Sequence, residues 1–164
     1  MEYYRRLPIG AELQKAGGTH FRVWATTSSS IGIRVSDEPG LTEKAITAEL
    51  EAEGNNYFSG YVPEAKAGQF YKLKLGCMLF PDPAARAQHG GPHGASVIVD
   101  PESYRWHDEG WGGVSLDTHV IYEMHVGTFT LEGTWAAARE RIPYLKDLGV
   151  DSLEIMPIGE FPGK

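Results

Sequence analysis

Two glutamates, Glu123 and Glu154, sit inside the apolar stretches "VIYEMHVGTF" and "VDSLEIMPIG". A pair of carboxylates flanking a glycosidic bond can hydrolyse it, one as general acid and the other as base or nucleophile. Both glutamates, however, fall in mid-strand, whereas barrel enzymes carry their chemistry past the C-terminal ends of the strands. They read as structural acids rather than a catalytic pair. The residues just beyond the strands are better placed to meet a substrate: His125, Thr128 and Phe129 after the first, Glu160 and Phe161 after the second. The competing reading is a hydrogen-bonded core histidine and two packing phenylalanines.

Two further groups invite chemistry. "HGGPH" sets His89 and His93 four apart, with Asp82 upstream and His107 downstream. Zinc binding at that spacing needs a helix and an intervening glutamate, and Gly90, Gly91 and Pro92 forbid the helix. No metal site is expected there; a segment that packs domains together is the better reading. The aromatics Trp24, Tyr57, Phe58, Tyr61, Trp106 and Trp111 could stack on sugar rings, but such residues also fill sandwich cores. They define no single binding face.

The elements that must position these residues follow two patterns. Up to about Asp100, short stretches alternate with period two: "HFRVWA", "SIGIRVS", "NYFSGYVP" and "QFYKLKLG". Breaks fall at Gly17-Gly18, Pro39-Gly40, Gly54-Asn55 and Gly76, which predicts an antiparallel β-sandwich over residues 1–100. Residues 81–113 are rich in Pro, Gly, His and Trp, a composition that disfavours regular elements. The domain boundary is placed there, with a linker over 101–118. Over 119–164 the spacing predicts a strand at 120–129 and a helix in "TWAAARERIPYLKDLG". That helix carries a buried stripe of Trp135, Ala138, Ile142, Leu145 and Leu148. Thr134 suits the N-cap, Gly149 a left-handed C-cap, and Pro143 a bend. A second strand over 150–158 reads as buried on both faces, completing a parallel β–α–β unit. A closed (β/α)8 barrel needs about 250 residues, so the expectation is that only its first unit and a half is present.

The formal net charge of −7 is spread evenly: 11 basic and 14 acidic residues in 1–110, 4 and 8 in 111–164. No basic stripe exists for phosphates or anionic lipid, so neither nucleic acid nor membrane is an expected partner. The start, "MEYYRRLPIGAEL", lacks the apolar core of a signal peptide, and Cys77 is the single cysteine. Both fit a cytoplasmic protein.

One resemblance is specific. "VIYEMHVGTFTLEGTWAAARERIPYLKDLGVDSLEIMPIGEFPG" resembles the opening of the catalytic barrel in the α-amylase superfamily, glycoside hydrolase family 13, and within it the malto-oligosyltrehalose trehalohydrolases. "RRLPIGAEL", "FRVWA", "PDPAARAQHGGPHGASVIVDP" and "YRWHDEGWGG" resemble the N-terminal module and linker of the same enzymes. The resemblance implies an immunoglobulin-like sandwich followed by a truncated (β/α)8 barrel. It implies retaining hydrolysis that releases trehalose from maltooligosyltrehalose, with no cofactor. The Asp nucleophile and Glu acid/base of that superfamily lie on later strands, so no catalytic residue is expected in this chain. A free-standing glucan-binding or interaction module, or part of a branching or debranching enzyme, is the alternative. Unpaired barrel strands are expected to favour self-association.

Overall fold

The computed structural model describes residues 3–161. The chain divides into two compact units, one of the residues up to Arg105 together with those from Glu160 on, the other spanning Trp106–Gly159.

The first unit is mostly β. Its strands are β1 (Gly10–Leu13), β2 (Thr19–Trp24), β3 (Ile31–Ser36), β4 (Ile46–Gly54), β5 (Tyr57–Val62), β6 (Phe70–Leu75), β7 (Met78–Phe80), β8 (Gln88–His89) and β9 (Ala95–Val97). They join antiparallel in the order β1-β2-β5-β4-β3-β6-β9-β8, with β7 also on β6. The four alternating stretches read from sequence are β2, β3, β5 and β6. The result is one continuous curled sheet. The cause is β4, whose first half, Ile46 to Leu50, pairs with β3, while Glu51 to Gly54 pair with β5, with a bulge between Ala52 and Gly54. A strand that changes partner midway bends the sheet over itself.

Period-two alternation then turns Phe21, Val23, Phe58, Ile33, Val35, Tyr71 and Leu73 into one shared core. Phe21 from β2 meets Tyr71 from β6 edge-to-face at 5.2 Å, which ties the two halves of the curl together. The β4–β5 turn places both Asn55 and Asn56 at positive φ, 51° and 65°, a backbone that matches strand twist in tight hairpins. The stretch 81–113 departs from expectation by containing β8 and β9. Its Gly-Pro content makes the turn between them, and β9 pairs with β6 through Phe70–Val97 and Tyr71–Ser96.

In the second unit, β10 (Ile121–Met124) pairs in parallel with β11 (Ser152–Ile155). Between them lie α1 (Val126–Phe129), α2 (Trp135–Glu140) and α3 (Ile142–Asp147). Both strands are shorter than the sequence suggests, because the backbone turns helical at Val126 and β11 ends at Ile155. The expected single helix is two. Pro143, in the first turn of α3, has no N–H to offer the carbonyl of Arg139, and the chain steps at Arg141. Thr134 caps α2, its Oγ1 accepting from Ala137 N–H at 3.2 Å. Gly149, at φ 95°, ends α3 with paired bonds from Gly149 N–H to Lys146 and from Val150 N–H to Leu145, both 3.0 Å.

The apolar stripe is not buried as read. Ala138 and Leu145 are covered, but Trp135, Ile142 and Leu148 are exposed, and so are Ile155, Met156 and Ile158 on and after β11. A two-stranded sheet has area enough to cover only the middle of that stripe. No helix among the described residues is long and apolar enough to cross a membrane.

Candidate functional site

Alternation along β1, β2 and β5 sends Glu12, His20, Arg22, Trp24, Tyr57, Ser59 and Tyr61 to the face opposite the core. The segment ahead of β1 lies across that face as a strap. Arg5 donates from Nη1 to His20 Nδ1 at 2.8 Å and to the His20 carbonyl at 3.0 Å, and from Nη2 to the Gly10 carbonyl at 2.9 Å. Glu12 accepts the Arg6 N–H at 2.8 Å and the Leu7 N–H at 3.3 Å. The Tyr3 ring stacks on Tyr61 at 4.8 Å and tilts against His20 at 5.0 Å. Glu12 and His20 are thereby only 4% and 7% exposed, although both point away from the core.

Their protonation follows from this cover. Burial by itself would raise the Glu12 carboxyl, but the amides of Arg6 and Leu7 and the guanidinium of Arg5 outweigh it and hold it below the ordinary carboxylate range. Burial, then the positive charge of Arg5, holds the His20 imidazole below its ordinary value. Since Nδ1 accepts from Arg5, the neutral ring carries its proton on Nε2.

A cleft of about 750 Å³ opens between the strap, the β1–β2 turn and the loop at 100–102. Tyr3, Tyr4 and Tyr61 line it together with Gln14, Lys15, Asp100 and Glu102. Tyr61 is held by its hydroxyl, which donates to the Gly17 carbonyl at 2.8 Å. Its ring passes so near Gly18 that a Cβ there would lie 2.6 Å from the hydroxyl oxygen, and Gly18 also has φ of 72°. Further along the same face, Arg22 grips Glu53 through Nε and Nη2, the shortest contact 2.7 Å, and lies 4.0 Å over the Tyr57 ring. Trp24 beside it is half exposed rather than core.

Asp82 has a structural role. It is 3% exposed, accepts the Tyr71 hydroxyl at 2.8 Å and the Ala84 N–H at 2.8 Å, and its own N–H donates to Ser96 Oγ at 2.9 Å. Burial raises its carboxyl above the ordinary range despite those donors. It anchors the Pro-rich stretch to β6, and His89 rests edge-on against Phe70. Among the described residues no cluster of three or more metal-ligating side chains forms.

In the second unit, Glu123 and Glu154 are direct partners across the parallel pair, and both are exposed. His125 follows β10 as the N-cap of α1, its Nδ1 accepting the Gly127 N–H at 3.1 Å. Thr128 Oγ1 donates to the His125 carbonyl at 3.3 Å, and Phe129 packs edge-on against Tyr122 at 5.9 Å. The structure thus gathers His125, Thr128 and Phe129 into one turn. Glu160 and Phe161 are exposed on the segment after β11. Sequence reading missed Tyr3, Arg5, Glu12 and His20. The available signal was the charge pattern of "RRLPIGAE", two arginines and a glutamate around a proline turn.

The curled sheet is of a known class: residues 8–77 match carbohydrate-binding module 48, the isoamylase N-terminal domain. The malto-oligosyltrehalose trehalohydrolase of Deinococcus radiodurans is 38% identical over 160 residues, covering 97% of this chain and 25% of that protein. The enzyme of that name from Saccharolobus solfataricus is 37% identical over 159 residues, 96% of this chain and 27% of its own length. The chain is thus similar to malto-oligosyltrehalose trehalohydrolases over nearly all of its own length, and it spans about a quarter of the length of these relatives. Among solved structures, a Salmonella typhimurium protein classed provisionally as an alpha amylase superposes with TM-score 0.83 at 40% identity, over 95% of this chain and 26% of its own. A pullulanase from Anoxybacillus sp. LM18-11, solved with maltotetraose, shares the fold with TM-score 0.74 at 22% identity, over 98% and 26% respectively.

Proposed function

We propose that this chain supplies the sandwich module and the start of the catalytic barrel of a cytoplasmic glycoside hydrolase that releases trehalose from maltooligosyltrehalose. Residues 1–100 form the immunoglobulin-like module, 101–118 the linker and 119–164 the first strands and helices of a (β/α)8 barrel. The observation that carries this reading is a match to trehalohydrolases over 97% of the chain, through both units. A parallel β10–β11 pair joined by helices is what a barrel of this kind begins with. In the intact enzyme, a nucleophilic Asp and an acid/base Glu on later barrel strands would perform retaining hydrolysis. This chain's part is to shape one side of the cleft. His125, Thr128, Phe129, Glu160 and Phe161, at the C-terminal ends of β10 and β11, would face sugar there.

Two experiments test the reading. An antibody to this chain should detect in its own cells a protein several-fold larger than 18.0 kDa, and that protein should release trehalose from maltooligosyltrehalose. The purified 164-residue chain should release none. Trehalose release by the short chain, or a native species of 18.0 kDa, would overturn it. A free-standing glucan module would then take its place.

A further inference from the structure

We propose that the cleft between the strap, the β1–β2 turn and the 100–102 loop binds an uncharged α-glucan segment, with Tyr3, Tyr4 and Tyr61 as its sugar-facing rings. The choice of glucan as ligand class rests on the carbohydrate reading given above; the location rests on the cleft itself. Its volume of about 750 Å³ lies within the range of small-ligand sites. Tyr3 and Tyr61 are already stacked, 28° apart, so they present a fixed apolar wall. Tyr4 beside them is 73% exposed, with its backbone N–H anchored on Gln14 Oε1 at 3.2 Å. An aromatic ring held by its main chain but left open to solvent suits the C–H face of a pyranose ring.

Charge decides the ligand's sign. Arg6 is committed, reaching Glu12 at 3.4 Å and Glu102 at 3.5 Å. Among the described residues Lys15 has no acidic partner, so one free cation faces the carboxylates of Asp100 and Glu102. A phosphorylated or carboxylated ligand would meet more negative than positive charge. A cation would find Glu12 already saturated by two amides and two guanidinium groups. Neutral hydroxyls can use the whole set, donating to Asp100 and Glu102 and accepting from Lys15. Arg6 also spans from Glu12 on the sheet to Glu102 in the 100–102 loop, so the strap borders both walls of the cleft.

The test uses the 164-residue chain labelled with nitrogen-15 and maltoheptaose as the probe, followed by amide NMR. Shifts should centre on Gln14, Lys15, Ala16, Tyr61 and Glu102. Tyr4→Ala and Lys15→Ala, both at exposed side chains, should keep the spectrum folded and each weaken binding about three- to ten-fold. Trp24→Ala should change nothing. Shifts centred on Trp24 and Tyr57, with Tyr4→Ala neutral, would overturn the cleft while leaving glucan recognition intact. The absence of any shift at millimolar maltoheptaose would also overturn it. Neither outcome touches trehalose release by the larger enzyme, which is measured separately.

Discussion

Replacing Glu12 by glutamine isolates what holds the strap. The side chain keeps its shape and one acceptor oxygen, but loses its charge and turns an NH2 toward a backbone N–H. Glu12 accepts two backbone amides, at 2.8 and 3.3 Å, and has Arg5 at 3.8 Å. Hydrogen bonds to a charged group contribute about 1.5–3 kcal/mol each. The attraction to Arg5 is about 4 kcal/mol gross at an effective dielectric of 20, most of it offset by desolvation. With one bond kept, the expected net loss is about 2–3 kcal/mol. The strap can open without the core, so the sensitive assay is hydrogen exchange at the Arg6 and Leu7 amides. Glu12→Gln should speed it about 30- to 150-fold near neutral pH, with core amides such as Ile33 still far better protected than those of the strap. The pH dependence is a second arm. The folded Glu12 value is depressed, so its contribution is present above about 4.5 and is lost as pH falls through the folded value. The variant should be flat across that window. It should retain the loss that begins near 6.5, where His20 of the opened strap takes up a proton that the docked, depressed ring does not. A change in exchange of less than about three-fold would show that the amide contacts do not hold the strap.

Other predictions follow from the core and the second unit. Tyr71→Phe should cost about 1–3 kcal/mol in urea unfolding, because it strips a donor from a buried carboxylate. The cost should shrink toward acid pH, since the Asp82 value is raised and the group is neutral in the fold below it. Thr134→Ala removes the α2 cap and should cost about 1 kcal/mol, read as faster exchange at Ala137. The exposed Trp135, Ile142, Leu148 and Ile155 should bind an apolar dye and drive concentration-dependent association in sedimentation; Leu148→Lys with Ile155→Lys should suppress both.

How much of this was legible depends on where each side chain finds its partner. β2, β3, β5 and β6 carry strict alternation with β-branched and aromatic residues, so local pattern and burial agree. β4 does not: "ITAELEAEG" is rich in Ala and Glu, and only the β3 and β5 ladders on either side make it a strand. The strap was illegible for a similar reason. Arg5 and Tyr3 look like terminal surface residues until the β1–β2 hairpin brings His20 beside them and β5 brings Tyr61. The caps of the second unit, Thr134 and Gly149, were readable because capping is local chemistry. The burial of its stripe was not, because exposure depends on which surfaces are there to cover it. His125, Thr128 and Phe129 were legible as a group because they follow one another past the end of one strand.

The shared strand β4 also dictates an order of assembly. β3, β4 and β5 are consecutive, and their hairpins close over short loops, so they can zip early at little entropic cost. β2 must wait, since Thr19 pairs with Val62 and the intervening segment of about forty residues has to close first. Until then β5 presents an open ladder edge, the surface most prone to capture another chain. During synthesis the strap emerges ahead of every strand it contacts yet docks among the last. Its Tyr3–Tyr61 stack needs β5 already laid beside β2. Substitutions in the strap should therefore accelerate unfolding while leaving the refolding rate nearly unchanged.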